Sequence, residues 1–239
     1  MTRITALHHA RHASVQLRKP VDASSLRFAL LGRSEVPLAC ADFPMCLAKE
    51  AQTGRFNLIA LLSLIEPRNL FWRNDRWHAT YLPEATTTAP FRLDPSSEHG
   101  IAIDEDGVAL SSGMQLFGSD GRPTDTLVKI SARLQRIAND VADAQRMVDE
   151  FARRKLIRPL QLILRFDDNR EHQIDGLYSL GTDALAALSD DSVVNLYRAG
   201  NVAAAAIMSA SLSQIERLRQ LHNASSATSI ASARVTVEE

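Results

Sequence analysis

The stretch "RKLIRPLQLILRFDDNREHQIDGLYSL", residues 154–180, returns the chain to β structure within its more helical half. An apolar run of strand length leads to Asp167, Asp168 and Asn169, which favour a turn, and a second strand-like segment follows. We expect these two strands, at residues 160–179, to join the sheet formed by the first half of the chain. This pairing predicts a single domain over residues 1–222.

A long helix precedes this hairpin. After Pro123 the apolar residues recur at alternating spacings of three and four, which is the heptad stripe of an amphipathic helix at 125–155. The stripe contains Leu127, Ile130, Leu134, Ile137, Val141, Ala144, Val148 and Phe151. Two packings are open: the helix lies on the sheet, or it joins a second copy of the chain in a homo-oligomer. Ala144 favours the first, because a small residue suits close packing better than a strong zipper.

The remaining segments complete an α+β fold, in which a hairpin-rich antiparallel sheet is joined by one long amphipathic helix and a helical C-terminal region. Residues 1–123 are mostly β: "SVQLR" predicts a short strand, and "IAIDEDGVAL" predicts a hairpin that turns at Asp106 and Gly107. Asp42 followed by Pro44 predicts a short helix at 42–52. Residues 124–222 are mostly α with one hairpin, and the small, polar residues 223–239 predict a disordered tail.

The composition is that of an ordinary soluble protein, with 45% apolar residues, 23% charged residues and a formal net charge of -1. No block of lysine and arginine occurs, so we expect no nucleic-acid partner. No apolar run reaches about 18 residues, so we expect no membrane span. The N-terminal segment lacks an apolar run of signal-peptide length, and the two cysteines, Cys40 and Cys46, lack redox or zinc spacing. We therefore expect a cytoplasmic protein with two buried thiols.

The most distinctive segment is "NLFWRNDRWHATYLP", residues 69–83, which holds both tryptophans of the chain. Its polar centre between two apolar runs predicts a β-hairpin, and the alternation places Trp77 and Tyr81 on one face of the second strand, with His78 on the other. Tryptophan and tyrosine suit both cores and binding grooves, because a large apolar ring carries a polar tip. Two interpretations stay open: core packing, or a ligand-binding surface formed by Trp77, Tyr81, His78, Asn69 and Arg76.

A second candidate is a polar site formed by His12, Asp104 and Glu105. These residues offer acid, base and ligand chemistry, although neighbouring strand residues such as Asp104 and Glu105 point to opposite faces. We expect no metal site at "HHARH", because the glutamate of an H-E-x-x-H helix is missing. No nucleophile elbow, phosphate-binding loop or dinucleotide fingerprint occurs either. The residues leave any catalytic group and any cofactor unassigned.

Several segments, taken in order, resemble the SapC family of bacterial proteins, named for a locus tied to surface-layer protein. They are "LHHARHASVQLRKP" at 7–20, "EVPLACADFP" at 35–44, "NLFWRNDRWHATYLP" at 69–83, "APFRL" at 89–93, "IAIDEDGVALSS" at 101–112 and "DGLYSLGTDALAALSDDSVVNLYRAG" at 175–200. Relatives occur beside genes for TonB-dependent receptors, tryptophan-halogenase-like proteins and cupin-like or oxoglutarate-dependent hydroxylases.

Three functions stay open. The first is an accessory binding protein that recognises a peptide, a protein or a small ligand and is linked to nutrient uptake or peptide modification. The second is a metal- or cofactor-assisted enzyme that acts with halogenase- or hydroxylase-type partners. The third is a surface-layer-related structural or oligomerising protein. We expect the first, because an aromatic-rich signature occurs without a recognisable catalytic constellation.

Overall fold

The computed structural model describes residues 3–17, 23–65 and 67–238 and confirms the α+β class. The chain divides into two compact units. Unit 1 comprises Met1–Ala23 and Glu84–Asn139, and unit 2 comprises Ser24–Pro83 and Asp140–Glu239. Each has its own cluster of buried apolar residues. The expected single domain over residues 1–222 stays a prediction.

Unit 1 contains two small antiparallel sheets and the first part of the long helix. Its elements are β1 (Ile4–Ala6), α1 (His9–His12), β2 (Ser14–Leu17), β8 (Phe91–Leu93), β9 (Ile101–Asp104), β10 (Val108–Gln115) and the start of α3 (Asp125–Arg153). One sheet has the order β1-β9-β8, and the other pairs β10 with β2. The predicted strand in "SVQLR" is therefore confirmed as β2, and the side chain of Val15 is fully buried.

Unit 2 contains a six-stranded antiparallel sheet and the C-terminal helices. Its elements are β3 (Phe28–Leu30), α2 (Val36–Ala39), β4 (Met45–Lys49), β5 (Phe56–Leu61), β6 (Trp72–Arg73), β7 (Arg76–Trp77), the end of α3, β11 (Ile157–Phe166), β12 (Glu171–Leu180), α4 (Thr182–Ala186), α5 (Asp190–Arg198), α6 (Asn201–Ser211), α7 (Ile215–Asn223) and β13 (Ile230–Val237). The sheet order is β13-β11-β12-β4-β5-β3. Because β12 pairs with β4, the hairpin at 157–180 does join a strand of the first half of the chain, as the sequence predicted.

The long helix is confirmed at Asp125–Arg153. Its heptad stripe is covered within the chain: Leu127 and Leu134 belong to the core of unit 1, and Val148 and Phe151 belong to that of unit 2. These side chains thus gain their burial from packing within the chain. The homo-oligomer through residues 125–155 stays a prediction.

The helix predicted at 42–52 is wrong, because this segment forms the strand β4. Met45, Cys46 and Leu47 are buried on a strand that lies between two neighbours, so both faces are covered and no alternation reveals the strand. Asp42 does not cap a helix here, since its carboxylate accepts hydrogen bonds from Tyr81 and Arg217. Burial raises the pKa of Cys46 to about 12, and Cys40 is only half-buried.

Two further expectations need correction. The hairpin predicted in "IAIDEDGVAL" does not form, because β9 pairs with β1 and β8 whereas β10 pairs with β2. A 3₁₀ turn over Glu105–Gly107 separates the two strands and sends them into different sheets. The tail predicted to be disordered contains β13, which pairs with β11 from Leu160 to Phe166. In the part of the chain that the structure describes, no helix combines the length and apolarity that a membrane span needs.

Candidate functional site

The aromatic hairpin forms as predicted. Trp72 of β6 lies opposite Trp77 of β7, and Asn74 and Asp75 connect the strands with φ values of 50° and 57°. Two successive residues in the left-handed region form the tight turn that matches the twist of a two-residue hairpin. Asparagine and aspartate adopt this conformation more readily than most residues, so the "ND" pair suits the turn.

The inner face of the hairpin belongs to the core of unit 2. Trp77 and Tyr81 are half-buried and pack against that core. The Trp77 ring lies 6.0 Å from Phe43 and 6.1 Å from Phe71, measured between centroids, and the two phenylalanine rings meet edge to face at 4.8 Å. The next residues keep the predicted alternation of burial, although β7 itself ends at Trp77. Trp77 and Tyr81 therefore have a packing role.

Two buried carboxylates fix this face. Glu35 accepts hydrogen bonds from the Tyr81 hydroxyl at 2.8 Å and from the Gly32 backbone N–H at 2.7 Å. Asp42 accepts from the Tyr81 backbone N–H at 2.7 Å and from Arg217 at 2.5 Å. Trp77 donates its indole N–H to the Tyr81 carbonyl at 2.7 Å. Tyr81 is thus held through its backbone and its hydroxyl, which leaves its ring little freedom to rearrange around a ligand.

The other predicted ligand-binding residues differ in accessibility. Asn69 is buried; its Oδ1 accepts from the Phe71 backbone N–H, and its Nδ2 has no partner in the part of the chain that the structure describes. Arg76 and His78 are exposed, and the His78 ring lies 3.1 Å from the Arg73 carbonyl. Arg76 and His78 are therefore the members of the predicted set that a ligand reaches without unpacking the core. Their role in binding stays a prediction.

In unit 1 the structure brings His12 and Glu105 together, with His12 Nε2 3.3 Å from the buried Glu105 carboxylate. Arg3, Arg11 and Thr5 also donate to this carboxylate. His12 Nδ1 accepts from the His8 backbone N–H, so Nε2 carries the proton that faces Glu105. Asp104 stays outside this cluster, because its carboxylate caps the local turn by accepting from the Asp106 N–H.

The Glu105 cluster is built to hold a charged carboxylate. Burial raises the pKa of Glu105, but hydrogen bonds from Arg3, Thr5 and His12, together with the charge of Arg11, outweigh it and lower the pKa below the usual range. A carboxylate with a lowered pKa is a weak base. Across the described residues, no group of three or more His, Cys, Asp or Glu side chains is arranged to hold a metal ion.

We expect Glu105→Gln to weaken unit 1 near neutral pH and to reduce its sensitivity to acid. Because the folded pKa lies below the unfolded value of about 4.3, the carboxylate stabilises the fold above that value. This stabilisation is lost as the pH falls through the folded pKa. The difference between wild type and variant should therefore be full at neutral pH and vanish in acid. Every tryptophan and tyrosine lies in unit 2, so hydrogen exchange of peptides from β1 and β9 is the suitable measurement.

Glu98→Gln is the matched control, because Glu98 is exposed in the same unit. Its exchange should follow that of the wild type at each pH after correction for the intrinsic rate. Equal protection of β1 and β9 in wild type and Glu105→Gln near neutral pH would contradict the stabilising role of the cluster.

A third candidate, which sequence reasoning missed, is an apolar groove between α4, α5 and α6 in unit 2. It has a volume of about 270 Å³ and is lined chiefly by Leu185, Leu188, Val193, Leu196, Val202 and Ala205. The neighbouring Val194 and Tyr197 of α5 are also exposed, and Tyr197 keeps 73% of its surface accessible. An apolar groove on a helix that also exposes large apolar side chains is typical of a site for another molecule.

A signal for this groove is present in "DSVVNLYRA". Val193 and Leu196 form one pair spaced by three residues, and Val194 and Tyr197 form a second pair beside it. A helix that packs one face against the core of its domain needs only one apolar stripe, whereas α5 has two. A prediction that looks for one apolar stripe in each helix overlooks the second stripe.

The described fold defines an α+β protein with a six-stranded antiparallel sheet, a long helix and a helical C-terminal region. The family model described as SapC matches residues 7–218, so the chain belongs to the SapC family. This match spans elements of both units and confirms the resemblance seen in the sequence. Comparison with curated proteins finds no match, and comparison with solved structures finds none.

Proposed function

We propose that this protein is an accessory binding protein that receives a short amphipathic helical segment of a partner protein in the groove between α4, α5 and α6. The observation that carries the proposal is the apolar groove, and the exposed Val194 and Tyr197 follow its lining residues Val193 and Leu196 on α5. The cytoplasmic location and the link to nutrient uptake or peptide modification stay predictions.

The lining of the groove supports an apolar occupant. Apart from Thr182 and Ser209, the lining side chains are aliphatic, so a polar ligand would find few hydrogen-bonding groups. Grooves between helices bind amphipathic helices through apolar residues spaced three and four apart. The groove of about 270 Å³ has room for a few such side chains rather than for a whole folded domain.

The charge of the rim supports a basic partner. Asp183 follows the lining residue Thr182, and Asp190 and Asp191 lie between the lining residues Leu188 and Val193. All three aspartates are exposed. Acidic side chains beside an apolar groove favour lysine and arginine on the polar face of the bound helix and repel an acidic one. We therefore infer a partner segment with apolar and basic residues.

Binding of two synthetic peptides tests the proposal. One is a fluorescent helix of leucine and lysine, and the other keeps the leucines but replaces each lysine with glutamate. We expect saturable binding of the basic peptide at micromolar concentrations and at least about tenfold weaker binding of the acidic one, which corresponds to about 1.4 kcal/mol. Fluorescence anisotropy at physiological salt gives both affinities.

Two matched variants locate the binding surface. Val193 in the groove is 40% exposed and Leu82 on the hairpin is 41% exposed, so each tolerates aspartate with a similar change in burial. Val193→Asp should abolish binding of the basic peptide, whereas Leu82→Asp should leave it unchanged. The opposite pattern would assign binding to the hairpin, and no binding by the wild type would refute the groove as a site for a basic helix.

A further inference from the structure

We infer that the cleft at the start of α6 binds a small oxyanion, with inorganic phosphate as the best chemical fit. The cleft has a volume of about 210 Å³, and its polar lining consists of Arg33, Arg146, Glu150, Asn195 and Asn201. It differs from the peptide groove in every lining residue except Leu196. The inference therefore does not depend on the proposed function.

The backbone contributes the first part of the site. α6 has 11 residues, and its N-cap residue is Gly200, which has no side chain that could cap the first turn. The N–H groups in the first turn of a helix lack acceptors within the helix and carry its partial positive charge, so they favour an anion. Gly200 has a φ of 70°, and a Cβ there would lie 3.3 Å from Arg33 Nη2. Glycine thus keeps Arg33 close to this helix end.

Asn201 supplies the second, independent observation. It is the first residue of α6, lines the cleft and is only 4% exposed. Its Oδ1 is buried and has no hydrogen-bond donor among the described residues. Buried polar atoms of folded proteins almost always have a partner, which can be a bound molecule. An acceptor in this place needs a ligand that also carries a hydrogen-bond donor.

The charges around the cleft favour an anion. Arg33 donates to the Ala199 carbonyl, which holds its guanidinium at the helix end. Glu150 is the one carboxylate among the described lining residues, and both Arg153 and Arg154 pair with it. Arg146 lies beside it and pairs with Asp143. The charged residues that line the cleft are thus two arginines, Arg33 and Arg146, and one carboxylate, Glu150, so the lining has a net positive charge.

These features together select phosphate over other oxyanions. Arginine and helix N–H groups donate to the phosphate oxygens. Inorganic phosphate keeps at least one proton at neutral pH. This O–H group can donate a hydrogen bond to the buried Oδ1 of Asn201. Sulfate has no proton at this pH and leaves that oxygen unpaired.

Calorimetric titration of the full chain with inorganic phosphate, and with sulfate, tests the inference. We expect saturable phosphate binding by the wild type and weaker sulfate binding. Arg146→Gln should weaken phosphate binding at least about tenfold through loss of a charge-assisted hydrogen bond. Arg153→Gln is the matched control, since the two side chains are 73% and 72% exposed, each pairs with a carboxylate one turn earlier, and only Arg146 lines the cleft. The Arg153→Gln control should change the phosphate affinity by less than about twofold.

Asn201→Leu gives a separate readout, because it removes the orphan oxygen without adding charge. This variant should bind phosphate and sulfate equally. Absence of saturable phosphate binding by the wild type would overturn the inference, as would equal weakening by Arg146→Gln and Arg153→Gln, which indicates unspecific attraction. An unchanged preference for phosphate in Asn201→Leu would refute the role of Asn201. Circular dichroism of each variant verifies that it folds.

Discussion

Deletion of residues 229–238 is expected to lower the free energy of unfolding of unit 2 by about 3–5 kcal/mol. β13 pairs with β11 along its length, from Leu160 to Phe166, so the deletion exposes a long strand edge. It also removes Ile230, which is fully buried in the core. Both tryptophans lie in unit 2, and urea unfolding followed by tryptophan fluorescence therefore reports this loss directly.

A point variant separates strand docking from a general effect of truncation. Asn223 binds both backbone groups of Ile230, the first residue of β13. Its Oδ1 accepts from the Ile230 N–H at 2.8 Å, and its Nδ2 donates to the Ile230 carbonyl at 3.0 Å. Asn223→Ala should cost about 1–2 kcal/mol. Ser232→Ala, on the exposed side of β13, should change the stability little. An unchanged urea midpoint after the deletion would show that the tail is dispensable.

The tail also shows why part of the fold escapes prediction. Its composition is small and polar, which matches a disordered segment. Ala233, Val235 and Val237 alternate with polar residues, but the apolar surface is too small to form a strand alone. The strand exists because β11 offers a free edge and Asn223 fixes its entry. Neither of these partners is visible in the segment itself.

Elements with a strong local pattern were predictable. The heptad stripe gave α3, and the Asp-Asp-Asn turn gave the hairpin of β11 and β12. β4 was missed for the opposite reason, since a central strand covered on both faces has no alternation, and Asp42 with Pro44 imitated a helix start. Local sequence patterns show which faces of an element are apolar, whereas the neighbouring strands of the sheet determine the conformation of segments such as 45–49.

The candidate sites also contain some features that a local sequence pattern predicts and others that depend on distant residues. The sequence offers His12, Asp104 and Glu105 as a polar site, and the structure brings His12 to Glu105 but leaves Asp104 outside the cluster. No motif predicts the two arginines that neutralise Glu105, which are Arg3 before β1 and Arg11 in α1. The alternation in the aromatic hairpin correctly separated Trp77 and Tyr81 from His78. It did not reveal that Glu35 and Asp42 anchor the inner face, because both carboxylates are distant in the sequence.

Asp42→Ala is expected to destabilise unit 2 by about 2–3 kcal/mol. The side chain is 1% exposed and joins the Tyr81 backbone N–H to Arg217, so its loss removes the acceptor of a half-buried N–H and leaves the guanidinium with the Ala41 carbonyl at 3.3 Å in place of a carboxylate. Arg217 keeps 35% of its surface in water, which places the loss at the lower end for a broken buried ion pair. Asp42→Asn retains an acceptor oxygen for Tyr81 and should cost about half as much.

A double-mutant cycle of Asp42→Ala with Arg217→Met isolates the ion pair from the Tyr81 hydrogen bond. Methionine keeps apolar contact with the Phe71 ring, over which the Arg217 guanidinium lies at 5.5 Å. We expect a coupling energy of about 1 kcal/mol and a residual cost of Asp42→Ala even without Arg217. That residual belongs to Tyr81, and its absence would mean that the carboxylate does not anchor the aromatic hairpin. Because Trp77 donates to the Tyr81 carbonyl, a loosened hairpin should also shift the tryptophan emission to longer wavelengths before global unfolding.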